Sequence, residues 1–406
     1  MIASPKIDLK NLDKSEWKTY RFDEIAKHIS ERVDPNNTDL TTYIGLEHID
    51  PESLHIRRFG SPDDVNGTKL KFYKGDIIFG RRRAYQRKAG IAKMDGFCSA
   101  HALVLRANPE VIDARLFPFF LHSDLFMNRA VDISVGSLSP TINWGALKHQ
   151  QFRLPPQNMQ TKFAKLLLSS DNYIEKMKML LVQEERLRDT SREKLYTYGT
   201  QALSGNLNPS LKLGKCGLVR EDWDIKNFLD CAEIISGQVD PKDDNYCDLY
   251  QIGSERIEAN TGRILELKSA KELNIKSGNY LFLDTDIIYS KIRPYFKKVA
   301  NPNFRGLCSA DIYPLRPNTN VVSKDYLFYY MLTEMFTRRL LRFQNRTGMP
   351  KVNRDELGAM YVPVPTKTEQ DKVVNILEQI DQSNDTIRAK IDSATDVFRS
   401  LIHEVF

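Results

Sequence analysis

Two stretches of this chain carry cations and a phenol at alternate positions. Arg81-Arg82-Arg83-Ala84-Tyr85-Gln86-Arg87-Lys88 in the first half is answered by Lys291-Ile292-Arg293-Pro294-Tyr295-Phe296-Lys297-Lys298 in the second. Arg81/Lys291, Arg83/Arg293 and Tyr85/Tyr295 keep their character, whereas Arg82 faces Ile292. In an extended chain alternate side chains share one side. The pattern therefore predicts two cations and a phenol on one side of each segment, chemistry suited to phosphate oxygens and base edges. A basic run standing alone is ordinarily a solvated loop. Its recurrence makes Arg81, Arg82, Arg83, Tyr85, Arg87, Lys88, Lys291, Arg293, Tyr295, Lys297 and Lys298 candidate contacts to double-stranded DNA.

No constellation for catalysis, metal or cofactor accompanies them. Asn301-Pro302-Asn303-Phe304 is similar to the base-holding loop of amino-methyltransferases. Its third position differs, and the first half has Ile91-Ala92-Lys93-Met94 at that place, so a turn is expected. Glu266 with Asp243 or Asp248 has no counterpart in the first half as an acidic metal cluster. There is no phosphate-binding glycine loop, no His-Glu-x-x-His and no nucleophile elbow. Cys98 and Cys308 recur among small residues before apolar runs, the setting of buried thiols. The five cysteines have neither disulfide nor zinc spacing.

Composition permits a nucleic-acid partner without demanding one: the net charge is +6, with 41% hydrophobic and 28% charged residues. Residues 1–16 read as a polar lead-in without a signal-like apolar core, and no stretch approaches a membrane span. The expected compartment is the cytoplasm.

The elements that must position the basic segments come as a repeat. Pro155, Gln160 and Lys162 recur 210 positions later as Pro365, Gln370 and Lys372. Asp76-Ile77-Ile78-Phe79 recurs as Asp286-Ile287-Ile288-Tyr289, a buried-strand signal entered through a turn. Leu105-Arg106 recurs as Leu315-Arg316. Aromatic-rich helical stretches at 114–131 and 324–343 align Phe126 with Phe336 and read as core. Each half thus predicts an α/β block.

A long helix follows each block. From Thr368 to Phe406 the positions Val373, Leu377, Ile380, Asn384, Ile387, Ile391, Ala394, Phe398, Leu401 and Val405 step by four and three, the seam of a coiled coil. At about 1.5 Å per residue such a helix reaches about 58 Å. Thr366 and Glu369 predict a capping box at its start. Asn384 predicts one partner helix in fixed register. That partner is the earlier helix, with Phe163, Leu167, Ile174, Met177 and Leu181 on its stripe. There Glu184 and Arg188 interrupt, and Leu187, Leu195, Tyr198 and Ala202 resume after a shift. The expected division is 1–155, a first block; 156–206, a central helix; 207–364, a second block; and 365–406, a C-terminal helix.

With these residues in view, the chain resembles the specificity subunit of type I restriction–modification enzymes. The likeness rests on two junctions. Gly136-Ser137-Leu138-Ser139-Pro140 leads through Leu154-Pro155-Pro156 to Gln160, and Gly348-Met349-Pro350 leads through Val362-Pro363-Val364-Pro365 to Glu369-Gln370. The first helix ends in Gln201-Ala202-Leu203-Ser204-Gly205. Met159 stands where the family usually carries Glu, and the last helix stops before any counterpart of Leu203-Ser204-Gly205. The resemblance implies a non-catalytic DNA-reading subunit without cofactors. Two tandem α/β target-recognition domains would each read half of a split site, separated by an antiparallel coiled coil in a pseudo-two-fold repeat. Two methyltransferase subunits would dock on the helices, and nuclease–translocase restriction subunits would join for cleavage. A stand-alone DNA-binding regulator or a coiled-coil assembly scaffold are the alternatives that the residues leave open.

Overall fold

The computed structural model describes residues 12–203, 209–342 and 350–406. Most of the expected lead-in, Ser204-Gly205 after the central helix, and Gly348-Met349 at the second junction lie outside them. The chain divides into two units, Met1–Met179 with Ala389–Phe406, and Leu180–Arg388. Each contains one α/β block and a portion of both long helices.

In the first unit two four-stranded sheets form the block. One is antiparallel throughout, in the order Ala26–Ile29, Ala102–Ala107, Ile77–Gly80 and Ala89–Ile91. The other runs Arg32–Val33, Lys69–Phe72, Gly96–Cys98 and Tyr43–Ile44, and its last pair is parallel. Ile77-Ile78-Phe79 is buried throughout, as expected of a strand covered on both faces. Lys18–Arg21 pairs with Gln151–Leu154, closing the start of the block onto the segment that enters the central helix.

The second unit repeats this order. Its first sheet is Ala232–Ile234, Ile312–Pro317, Ile287–Ser290 and Val299–Ala300. Its second is Gln238–Val239, Asn279–Phe282, Gly306–Cys308 and Gln251–Ile252, again with a parallel last pair. Asp224–Asn227 pairs with Tyr361–Val364 at the entry to the C-terminal helix. A hairpin of Leu211–Gly214 and Gly217–Arg220 is added before it. The aromatic stretches are core, as expected, but each is two helices rather than one. Ser123 and Thr333 interrupt them by accepting from the N–H groups of Phe126 and Phe336, the work of N-caps. Cys98 and Cys308 are buried, and burial pushes the Cys98 thiol up to about 12 and the Cys308 thiol well above its ordinary value.

The long helices span Gln157–Tyr198 and Lys367–Val405. In the second unit they run antiparallel: Thr200 meets Glu369, Arg188 lies 3.9 Å from Asp381, and Glu185 pairs with Arg388. In the first unit Phe163 and Leu167 share an apolar cluster with Ile402 and Val405. No expected seam position of the C-terminal helix is exposed.

Two local expectations are corrected. The stripe of the central helix resumes at Leu195, as expected, but not through Leu187, which is exposed; Arg188, Arg192 and Tyr196 are buried beside Leu195. The guanidinium of Arg192 finds carbonyl and amide oxygens, donating to Leu332 O at 3.0 Å and Asn260 Oδ1 at 3.1 Å. Thr366 does cap the C-terminal helix, its Oγ1 accepting from Glu369 N at 3.4 Å. The Glu369 carboxylate, however, does not complete a capping box. It accepts from the Thr200 N–H at 2.7 Å and the Thr200 hydroxyl at 3.0 Å, linking the two helices.

Gln160 and Gln370 do the same work in the two units. Each is buried in the first turn of its helix. Gln160 accepts from Asp113 N at 2.7 Å and donates to Val111 O and Pro155 O at 2.9 and 2.8 Å. Gln370 accepts from Ser323 N at 2.8 Å and donates to Val321 O and Pro365 O at 3.1 and 3.0 Å. One amide thus ties each helix to its own block.

Candidate nucleic-acid interface

Each basic segment connects two neighbouring antiparallel strands of the first sheet in its unit. The segment is not extended, which corrects the expectation from its period-two pattern. Arg83 and Arg87 adopt left-handed backbone conformations, φ 56° and 53°, on either side of a 3-10 turn at Ala84–Gln86. Arg293 and Lys297, both at φ 49°, flank Pro294–Phe296 in the same way. Left-handed conformations are uncommon for residues other than glycine. Here backbone bonds hold them: Arg83 N donates to Pro140 O at 2.7 Å, and Arg293 N to Pro350 O at 2.9 Å. Ile142 N and Val352 N return bonds to Arg81 O and Lys291 O at 2.9 and 2.8 Å.

The turn sorts the expected contact residues into two groups. Arg87, Lys88, Lys291, Lys297 and Lys298 are bonded within the protein. Arg87 donates to Asp124 Oδ1 and His122 O at 2.7 and 2.6 Å. Lys88 Nζ donates to Leu46 O, and Lys298 Nζ to Ser254 O, each at 2.6 Å. Lys297 meets Glu334 at 2.5 Å, and Lys291 donates to Ala310 O at 2.6 Å. These five cations hold each turn on its block.

The second group faces outward. Arg82, Arg83, Tyr85, Arg293 and Tyr295 are exposed, with Tyr85 at 56% and Tyr295 at 46%. Arg81 is half-buried. Beneath it His28 is held below the usual imidazole range, first by burial and then by the Arg81 charge, so it stays neutral at pH 7. Arg82 Nη2 and Arg83 Nε donate to the same Ser139 hydroxyl, at 3.1 and 3.3 Å. Tyr295 packs beside the exposed Phe296, ring centroids 4.7 Å apart. Each unit therefore presents a turn bearing an aromatic ring and a guanidinium that makes no ion pair among the described residues, groups that bond phosphates or base edges and stack on bases.

Ser139 and Phe296 were not among the residues that the basic pattern singles out. The recurrence of Ser139-Pro140 as Met349-Pro350 was a usable signal. It marked a junction, and the structure places that junction behind the basic turn.

The family model of the type I restriction modification DNA specificity domain matches this chain twice, over residues 14–183 and 220–395. The chain belongs to that family. It is 27% identical over 396 residues to the type I restriction enzyme EcoDI specificity subunit of Escherichia coli, covering 93% of this chain and 84% of that one. To the putative type I restriction enzyme MjaX specificity subunit of Methanocaldococcus jannaschii it is 23% identical over 357 residues, 83% of this chain and 79% of that one. In fold it is similar to the S subunit of a type I restriction-modification system from M. genitalium, with a TM-score of 0.58, 15% identity and 98% of each chain covered. A chain from a structure of the type I R-M system concerned with complex assembly and conformational transition gives a TM-score of 0.56 at 16% identity, covering 95% of this chain and 96% of that one.

Among the described residues no three His, Cys, Asp or Glu side chains cluster as metal ligands. No helix of the described residues is long and apolar enough to cross a membrane.

Proposed function

We propose that this chain is the non-catalytic specificity subunit of a type I restriction–modification complex. It binds double-stranded DNA, each globular block reading one half of a split site. The blocks correspond to residues 1–155 and 207–364, and the helices at 156–206 and 365–406 set the spacing. Two methyltransferase subunits dock on those helices, and restriction subunits join for cleavage, in the cytoplasm. The observation that carries the reading is the same exposed Arg–Tyr turn, Arg83 with Tyr85 and Arg293 with Tyr295, on two copies of the family fold. Both copies lie in one chain, so two half-sites can be read without dimerisation. Family membership across both halves favours this reading over a stand-alone regulator or a scaffold.

The test is co-expression with candidate methyltransferase subunits followed by mapping of methylated adenines. A split methylated sequence is expected. It should be lost when Arg82, Arg83 and Arg293 are all changed to Ala. Methyltransferase subunits that neither co-purify nor modify any sequence would overturn the proposal.

A further inference from the structure

We infer that Arg82 and Arg83 read guanine in the half-site of the first block, and that Arg293 does so in the second. The inference rests on the proposed specificity function and concerns which base each turn takes. A guanidinium can donate two bonds in one plane to O6 and N7 of guanine, the pairing that most often specifies a base in the major groove.

Three features fit Arg82 and Arg83 to that role. Among the described residues neither makes an ion pair, whereas Arg87, four residues after Arg83, is bound to Asp124. Their shared acceptor is the neutral Ser139 hydroxyl, which steers both forks without cancelling charge. It engages Nη2 of Arg82 and Nε of Arg83, leaving both terminal nitrogens of Arg83 to act as a fork. The backbone beneath is tied by the Arg83–Pro140 bond, so the turn that carries both side chains is set before DNA arrives. Lysine is a point charge, whereas the planar guanidinium donates in fixed directions, which is what two-bond recognition of one base edge requires.

The second block lacks this arrangement. Ile292 stands at the place of Arg82, and Met349, in the place of Ser139, has no hydroxyl. Lys291 is directed to the Ala310 carbonyl and lies 3.8 Å from Asp311. Among the described residues of the second basic segment, Arg293 is the exposed arginine, beside the Tyr295–Phe296 pair.

The experiment keeps charge and removes the fork. Arg82→Lys/Arg83→Lys is made in the full chain, co-expressed with the methyltransferase subunits, and the methylated sequence is mapped against wild type. The expected result is a relaxed requirement at one or two guanines in one half of the site, with the other half unchanged. Discrimination at those positions should fall about ten- to hundredfold. The same substitution at Arg293 should relax the other half. As a check independent of any variant, the wild-type complex is titrated with site duplexes in which single guanines are replaced by 7-deazaguanine. Loss of the N7 acceptor should weaken binding about tenfold at the positions that the double variant relaxes. An unchanged methylated sequence in the double variant, with lysine keeping the charge and the salt dependence, would assign the pair to phosphates and overturn the inference. So would a half-site without guanine. If wild type yields no split sequence at all, the specificity reading itself falls.

Discussion

Asp76 and Arg106 form a two-pronged ion pair with one partner fully buried and the other half in water. Arg106 Nε and Nη2 donate to the two Asp76 carboxylate oxygens at 2.7 and 2.9 Å, and Tyr73 N donates to Oδ2 at 2.9 Å. Arg316 repeats the arrangement on Asp286 at 2.8 and 3.0 Å, with Leu283 N at 2.9 Å. Bonding to the carboxylate raises both guanidinium groups above their usual range. In each unit the aspartate braces the turn into the strand that carries the basic segment.

Arg106→Leu strands a buried carboxylate that keeps only its backbone donor. Breaking a buried pair costs about 3 kcal/mol or more; with the guanidinium half exposed, about 2 kcal/mol is expected. A lower urea midpoint with an unchanged slope would show it. Arg316→Leu should cost about the same in its own block, and no loss in either variant would deny the pair a structural role.

Gln160→Leu and Gln370→Leu should be more damaging than the loss of one hydrogen bond. Each substitution removes one acceptor and two donated bonds, and leaves the Asp113 or Ser323 N–H buried without that partner. About 2–3 kcal/mol is expected from each. Hydrogen exchange should locate the opening at 109–116 for Gln160 and at 319–326 for Gln370. A uniform loss of protection across the chain would contradict a local staple.

The offset of 210 between the halves was legible because it fell on residues whose roles are fixed by geometry. Gln160/Gln370, Asp76/Asp286 and Arg106/Arg316 each recur because one block needs the same staple or ion pair as the other. The seam of the C-terminal helix was legible because its apolar spacing is unbroken. In the central helix Phe163, Leu167, Ile174 and Leu195 are buried as expected, but Arg192 was not legible, because it is buried through hydrogen bonds, which hydrophobic spacing does not register. The basic turns were misread as extended for a related reason. Arginine at positive φ leaves no sequence signature, and the bond from Arg83 to Pro140 joins residues far apart in the chain.

Acid should loosen the second turn through Glu334. The bond from Lys297 holds the Glu334 carboxyl below its ordinary value of 4.5. As pH falls, the unfolded chain takes up this proton first. The stabilisation is therefore full above pH 4.5 and is lost as pH drops through the lower folded value. The carboxylate is partly exposed, so the contribution is about 0.5 kcal/mol. Glu334→Gln should remove it at neutral pH and flatten that part of the acid limb; an acid limb identical to wild type would show that the pair contributes nothing.

Asn384→Leu should raise stability. Asn384 is 2% exposed in the seam of the second unit, and neither its Oδ1 nor its Nδ2 has a hydrogen-bond partner among the described residues. It lines a cavity of about 200 Å³ together with Phe328, Arg188 and Asp381. Burying an amide without partners costs about 1–3 kcal/mol, and leucine has a similar size with no polar group to satisfy. A gain of about 1 kcal/mol in urea unfolding is expected. A seam asparagine fixes helix register at the cost of stability, so the gain should come with a less strictly specified pairing of the helices. Cysteine cross-linking between a Glu185→Cys and an Arg388→Cys site, already in contact, reads that pairing directly. Efficient cross-linking in the parent, accompanied by cross-links at neighbouring positions only in the Asn384→Leu background, is the expected pattern. A drop in stability instead would mean that the amide is satisfied by solvent in the cavity and belongs to the seam as a stabilising group.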